Sequence, residues 1–593
     1  MKNILDSIKS ILFILLPSIL VLNFYGTYSF IDKSFFIICF FLFFFVLNKK
    51  QNKKEKRQII WLLITSFIYS FLYVFGTYIN ISKNTISNGL FTDNILSKIF
   101  YVYGFSCLIY LLLSNLVDQL KRIKVEKSKL QIKDFFIIWI CIFVSFIPYF
   151  ISYFPGLMSP DSLFQYCQSI DMCALTNHHP VMHTYLIKIF SSIGIAVHNS
   201  NLGVALYSLF QMLVLSSGLS YVIYSIFNNF KYKRVVILLV AYYCLVPIFG
   251  YYSITMWKDI IFGILISIIM LQTYFFFQKE NFTHIDKTIT FIVIILASLF
   301  RSNGKIVVLL ISILLIFSNR NRFKEVLLCF VTPLIISIII SGPIMSITNI
   351  PGGNLIETLG MPFRQLSGIV AIDSKMDKKD LEFINNIVPI STIKEEYDSN
   401  SIDNVKFSDD FDNEFFEENK IQFLSIYIKY FFRYPIKYCE IYLRNTYGFW
   451  YLDSEGYITH RWAIAENEYG LESRESFDKL NIEKYFNYFY GTPVFKWLIN
   501  DSLCFYILIF ALGLSIYKKQ KNSFIVLCIP FIVWLTIMLA SPVSYQPRYT
   551  FSLYCCMPII IKIILEMFVI TPKTRKSKKD LVKEKRKYYE KKR

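Results

Sequence analysis

Residues 153–183 hold the chain's most unusual combination of reactive side chains. The segment carries Asp161 and three of the six histidines, His178, His179 and His183, just beyond the apolar run Phe135–Tyr149. Ionisable groups beside a membrane-length run are costly unless they serve chemistry or transport. Ser159-Pro160-Asp161 reads as a helix start, with Ser at the N-cap and Pro at the first helical position. Asp161 then falls in the first turn, where the helix dipole favours its charged form. An ionised carboxylate there can accept a proton from a bound hydroxyl or hold a cation. Acidic first turns are common, so simple capping fits the local pattern as well. Leu163, Phe164, Cys167 and Ile170 follow at helical spacing, which predicts a helix lying along the membrane surface.

The histidines invite a metal reading that the spacing weakens. His179 and His183 are four apart, but Pro180 follows His179 and biases it away from helical geometry. The two therefore do not form a regular i, i+4 zinc pair, and no Glu lies between them. Hydrogen bonding to phosphate or hydroxyl groups suits these histidines better. No cofactor follows from the sequence, and a divalent metal stays open. Cys167 and Cys173 share this loop and are free to pair as a disulfide.

Three further cations end apolar runs on the same expected side: Lys258, Arg301 and Arg548, with Asp259 and Asn303 beside them. Snorkelling explains any one of them. A shared polar cavity explains all three, and it would suit a diphosphate or phosphodiester headgroup that arginines contact bidentately. Pro362-Phe363-Arg364-Gln365, the aromatic stretch Arg444–Tyr451 and His460-Arg461-Trp462 fit a sugar platform or an interfacial belt equally well. The acidic run Asp409–Glu414 lacks the glycine and spacing of a calcium loop and reads as a solvated face.

These groups require a membrane scaffold. The 593 residues are 55 % hydrophobic and only 18 % charged, and apolar runs of spanning length recur throughout, as in a helical polytopic protein. The net charge of +20 sits in short loops between runs and in the Lys573–Arg593 tail. That is the positive-inside pattern, with the tail resting on anionic membrane lipids, and nucleic acid is not an expected partner. Ten of the twelve cysteines lie in or beside apolar runs.

The basic loops anchor about fourteen spans, with both termini cytoplasmic. They fall at about 10–24, 34–48, 59–79, 97–117, 134–152, 204–228, 235–250, 254–278, 288–300, 304–317, 326–346, 498–517, 523–540 and 549–570. The expected fold is an all-α polytopic membrane protein with an extracytoplasmic mixed domain. Its parts are an N-terminal four-helix module at about 1–133 and a membrane core at about 134–346 with its outer loop at about 153–203. An extracytoplasmic domain at about 347–495, C-terminal helices at about 496–571 and a basic cytoplasmic tail at about 572–593 complete it. The domain's middle, Ala371–Lys420, has fourteen Asp and Glu against six Lys, a net of −8.

Pro155-Gly156-Leu157-Met158-Ser159-Pro160-Asp161-Ser162 followed by His179-Pro180 resembles the GT-C superfamily of polytopic glycosyltransferases. It is most similar to an uncharacterised bacterial branch carrying Pro-Gly-x-x-Ser-x-Asp-Ser and His-Pro segments. Trp257-Lys258-Asp259, Arg301-Ser302-Asn303-Gly304 and Arg548-Tyr549 also look like that branch. The resemblance implies a GT-C-like helix arrangement and a cell-membrane enzyme with an extracytoplasmic active site. It further implies an inverting sugar transfer from a polyprenyl-phosphate donor to an envelope glycan, lipid or protein. In that scheme Asp161 matches the general base. His178, His179, His183, Lys258, Asp259, Arg301, Asn303 and Arg548 are the expected substrate-binding residues. The loop lacks the paired acidic residues of several members of the superfamily, and four spans precede it. A transporter or flippase, or a polymerase or ligase, of polyprenyl-linked glycans is the alternative expectation.

Overall fold

The computed structural model describes residues 16–24, 54–82, 90–91, 94–123, 130–228, 233–353, 355–372, 374–454, 463–473, 480–540, 543 and 546–568. The expected span at 34–48, the segment His460-Arg461-Trp462 and the basic tail lie outside them. Among the described residues the secondary structure is helical, with only isolated β-bridges and no strand.

The helices of the first 347 residues come in this order. They are α1 (Leu16–Phe24), α2 (Lys56–Ser82), α3 (Ile95–Leu120), α4 (Ile132–Ser152), α5 (Pro160–Ser169), α6 (Val181–Ala196) and α7 (Ser200–Phe227). After these come α8 (Lys233–Leu245), α9 (Pro247–Ser253), α10 (Lys258–Gln278), α11 (His284–Phe300), α12 (Ser302–Ser318) and α13 (Arg320–Ile347). Eight of the described helices are long and apolar enough to cross a membrane, or nine if the bent α8–α9 pair is one span. Of the fourteen expected, the span at 34–48 lies outside the described residues, and several other runs make shorter helices. α6, α12 and the later Asp501–Tyr517 are apolar but of 10–17 residues. α8 and α9 bend by 59° at Val246-Pro247, where proline ends the first helix.

Residues 355–446 include α14 (Gly360–Ala371), α15 (Lys420–Arg433) and α16 (Pro435–Thr446). They form a hydrophobic core of their own around Phe363, Ile369, Phe416 and Tyr438. The mixed character expected at 347–495 is not seen among the described residues: alternating apolar patterns there fold as short amphipathic helices. The chain ends in α17 (Asp501–Tyr517), α18 (Lys521–Ala540) and α19 (Pro547–Phe568).

The first helices pack onto the end of the chain. Trp61 of α2 stacks on Tyr517 with rings 5.4 Å apart, and Tyr73 donates to Asp453 at 2.8 Å. α10, buried along most of its length, packs between α7, α11 and α19 at the centre. Its first turn supplies two of the five charged residues described next, Lys258 and Asp259.

Candidate functional site

Backbone contact sets the position of Asp161. Gly156 adopts φ +148°, and a Cβ there would stand 2.3 Å from Ser208 Oγ and 3.0 Å from Ile254 O. The missing side chain lets the loop lie flush against α7 and the α9–α10 connection. Leu157 N then donates to Ile254 O at 2.9 Å, and Met256 N to Leu157 O at 3.0 Å. Ser159 occupies the N-cap of α5 as expected, but its side chain makes no capping bond. Instead Trp257 Nε1 donates to Ser159 Oγ at 2.8 Å, and Ser162 Oγ donates to Met256 O at 2.7 Å. These bonds bring the first turns of α5 and α10 together. The helix is covered mostly by protein: Ser162, Gln165, Tyr166, Gln168 and Ser169 are buried, and Phe164 alone of its apolar stripe is exposed. Its polar face finds partners inside the protein.

Around Asp161 the expected cations converge. Arg548 Nη1 donates to Asp161 Oδ2 at 2.8 Å. The Arg548 guanidinium lies 4.7 Å from the ring centres of both Trp257 and Tyr549, and its Nη2 donates to Tyr549 Oη at 2.8 Å. Lys258 Nζ donates to His179 Nδ1 at 2.9 Å. Arg301 Nη1 lies 2.8 Å from Asp259 Oδ1 and donates to Tyr549 O at 3.2 Å. The Arg301–Asp259 pair is close but poorly aligned, since Oδ1 receives no hydrogen bond. Arg301 joins α11 to α12 in an extended conformation. Gly304 makes this turn tight, because a Cβ there would meet Ala297 O at 2.5 Å.

Three cations therefore face two carboxylates. Buried charge needs compensation, and this set leaves one positive charge over. Arg548, 9 % exposed, also keeps a buried Nε with no hydrogen-bond partner. Asp161 itself is 42 % exposed at its side chain. Burial among protein atoms would raise its carboxyl, but the Arg548 charge and its hydrogen bond, with Lys258 beside them, outweigh it and hold the group well below the ordinary carboxylate range. Burial, reinforced by Lys258, pushes His179 far below its ordinary value, so the ring is neutral. Lys258 occupies the Nδ1 lone pair, which leaves the proton on Nε2.

Of the nine expected site residues, Asp161, His179, Lys258, Asp259, Arg301 and Arg548 meet here. His178 is exposed and contacts the His179 ring edge-on at 4.6 Å. Asn303 turns toward α18, its Nδ2 donating to Thr536 Oγ1 at 3.1 Å. His183 is not placed to touch a ligand. It is fully buried, with Nδ1 at 2.8 Å from Gln165 Oε1 and Nε2 at 2.7 Å from Tyr207 Oη. Gln211 Nε2 serves the carbonyls of Tyr252, Ser253 and Thr255, so its Oε1 accepts from Tyr207 Oη at 3.1 Å. Through these contacts the histidine ties α5, α6 and α7 together. Sitting one helical turn inside α6, it follows the buried face.

Trp257 and Tyr549 carry more of the site than sequence reasoning assigned to them. Each adjoins an expected cation, and that adjacency was the available signal. Asp501 was missed outright. It is buried at the start of α17 and accepts from Thr550 Oγ1, so it anchors the turn that presents Arg548. Its lone position gave no pattern to read.

A resident divalent metal does not fit this set. Among the described residues no three His, Cys, Asp or Glu side chains stand together as a metal site, and both carboxylates already face guanidinium groups. Cys167 and Cys173 do form a disulfide, with Cα atoms 5.3 Å apart. It pins the end of α5 to the turn that follows.

Fold and site together define an all-α polytopic membrane protein with a buried, net-positive ionisable cluster at the ends of several helices. The chain belongs to a family of unknown function, DUF6020, whose model matches residues 165–587. The match takes in His178 through Arg548 and begins just after Asp161. No curated protein and no solved structure matches the chain.

Proposed function

We propose that the protein is an inverting membrane glycosyltransferase that moves a sugar from a polyprenyl-phosphate donor to a cell-envelope acceptor on the outer face. The observation that carries this reading is the pairing of Asp161 with Arg548 inside a cluster that retains one uncompensated positive charge and an idle Arg548 N–H. A phosphate ester supplies the missing negative charge. A carboxylate beside it supplies the base that sugar transfer requires.

In the proposed step the acceptor oxygen attacks the anomeric carbon while its proton passes to Asp161. The bond from that carbon to the phosphate oxygen breaks, and the departing phosphate takes the electron pair. Arg548, Lys258 and Arg301 offset the charge that develops on it. Arg548 touches both partners of this exchange, because the phosphate would draw it from Asp161 and so raise the carboxylate's basicity. His179 offers its Nε2–H as a donor to sugar or phosphate oxygen.

The test is transfer by the purified protein in nanodiscs, supplied with radiolabelled polyprenyl-phosphate sugars and envelope acceptors. Label appearing on the acceptor supports the enzyme. Movement of intact lipid across a sealed vesicle without transfer would sink it in favour of a flippase.

A further inference from the structure

Lys305 lies just inside α12, in a helix whose next residues are apolar. It forms no ion pair with any carboxylate among the described residues, and its Nζ donates to the hydroxyl of Ser341 on α13. A lysine placed among apolar residues of a membrane helix is costly without a counter-charge and marks a ligand path more often than a structural filler. Its surroundings are open to lipid. Ile306 and Leu309 on α12 are each 49 % exposed, and Ile344 on α13 is 46 % exposed.

The facing helix is irregular at this point. Ile340–Ile344 winds as a π-helical turn containing Ser341, Gly342 and Pro343, a distortion frequent at functional sites. Gly342 is exposed, and a Cβ added to it would meet nothing within 4 Å. The seam between α12 and α13 is therefore open beside the lysine.

Both walls of the seam lead to the Asp161 cluster. Along α12, Arg301 precedes Lys305 by four residues, about 6 Å of helix rise, within the combined reach of the two side chains. Beyond α13, Asn177 N donates to Pro351 O at 2.8 Å, so the same strand of chain lies against the His178–His179 loop.

We infer that Lys305 and Ser341 form a docking point for the phosphate of an isoprenoid lipid, which reaches the Asp161 cluster sideways through the α12–α13 seam. The inference rests on the proposed lipid-phosphate donor and adds where that donor waits and how it arrives. The chain of the lipid lies along the exposed apolar flank while its phosphate takes the lysine's charge, then passes one turn along α12 to Arg301.

Photo-crosslinking in nanodiscs tests this without relying on transfer. The probe is a polyprenyl monophosphate bearing a benzophenone on its first isoprene unit. Crosslinks mapping to α12 and α13, displaced by unlabelled polyprenyl phosphate but not by phosphatidylglycerol, support the inference. Equal displacement by phosphatidylglycerol, or crosslinks elsewhere, would overturn it. Lys305→Met should cut seam labelling about ten-fold, the scale of one lost charged hydrogen bond, while Lys305→Arg retains it. In transfer assays Lys305→Met should raise the KM for donor and leave kcat unchanged. Unchanged labelling in Lys305→Met also overturns the docking role. Seam labelling that survives while no sugar is transferred refutes the glycosyltransferase reading and leaves the lipid-phosphate site standing.

Discussion

Arg548 Nη1 stands 2.8 Å from Asp161 Oδ2, so the group proposed as base and its strongest counter-charge form one unit. Each controls the other. Arg548 keeps the carboxylate ionised but weakly basic, and Asp161 holds one end of the guanidinium in place. Asp161→Asn should reduce transfer by about 100- to 10,000-fold, the usual contribution of a positioned base, while donor binding persists. Comparing initial transfer rates with equilibrium binding of labelled donor checks this.

The pH profile follows from the same pair. The folded Asp161 carboxyl lies below its unfolded value of about 3.9. Its stabilising contribution is therefore complete above roughly pH 5 and disappears as pH falls through the folded value. In the wild type kcat/KM should show no acid limb from this group between about pH 5 and 8. Arg548→Met leaves burial opposed only by the weaker neighbours, which moves the carboxyl up. The acid limb should then climb into the measurable range. A limb that stays where it was in that variant would separate Asp161 from the base role.

Asp259 is only 2 % exposed and Arg301 13 % exposed at their side chains. Removing one member of such a pair strands the other. Asp259→Asn should cost about 3–5 kcal/mol, read as a lower midpoint of thermal unfolding in detergent. The double replacement Asp259→Asn with Arg301→Met should recover part of that loss, but not activity.

Gly156→Ala tests the loop that aims Asp161. The new methyl would meet Ser208 Oγ, and the residue would keep a left-handed φ, together costing about 1–3 kcal/mol. Adding Ser208→Ala relieves the clash with the hydroxyl and leaves the backbone part and the close approach to Ile254 O. The double variant should therefore be intermediate in thermal stability.

His183 separates positioning from binding. His183→Ala removes the link between Gln165 and Tyr207 and should lower thermal stability by about 1–3 kcal/mol. The KM for donor should remain near the wild-type value in the folded fraction, whereas Lys258→Met should raise it.

The membrane scaffold was legible because apolar runs report burial directly. Lys258, Arg301 and Arg548 were legible as a group because each ends such a run on one side. What the sequence could not convey was pairing. Nothing near Asp161 in the chain indicates Arg548 as its partner, and nothing near Ser159 indicates the Trp257 indole. Spacing also misled at His183, where a helix presents it to Tyr207 and Gln165. Runs such as 304–317 form helices shorter than a full bilayer crossing, since hydropathy averages do not measure helix length.

The Asp161–Arg548 contact joins residues 387 positions apart. At about 5–20 residues per second, synthesis leaves the carboxylate without its guanidinium for roughly 20–80 s. During that interval α5 through α18 are made while the turn before α19 is not. Completion of the charge cluster therefore waits for the turn before α19, and until that turn is made Asp161 lacks its closest counter-charge.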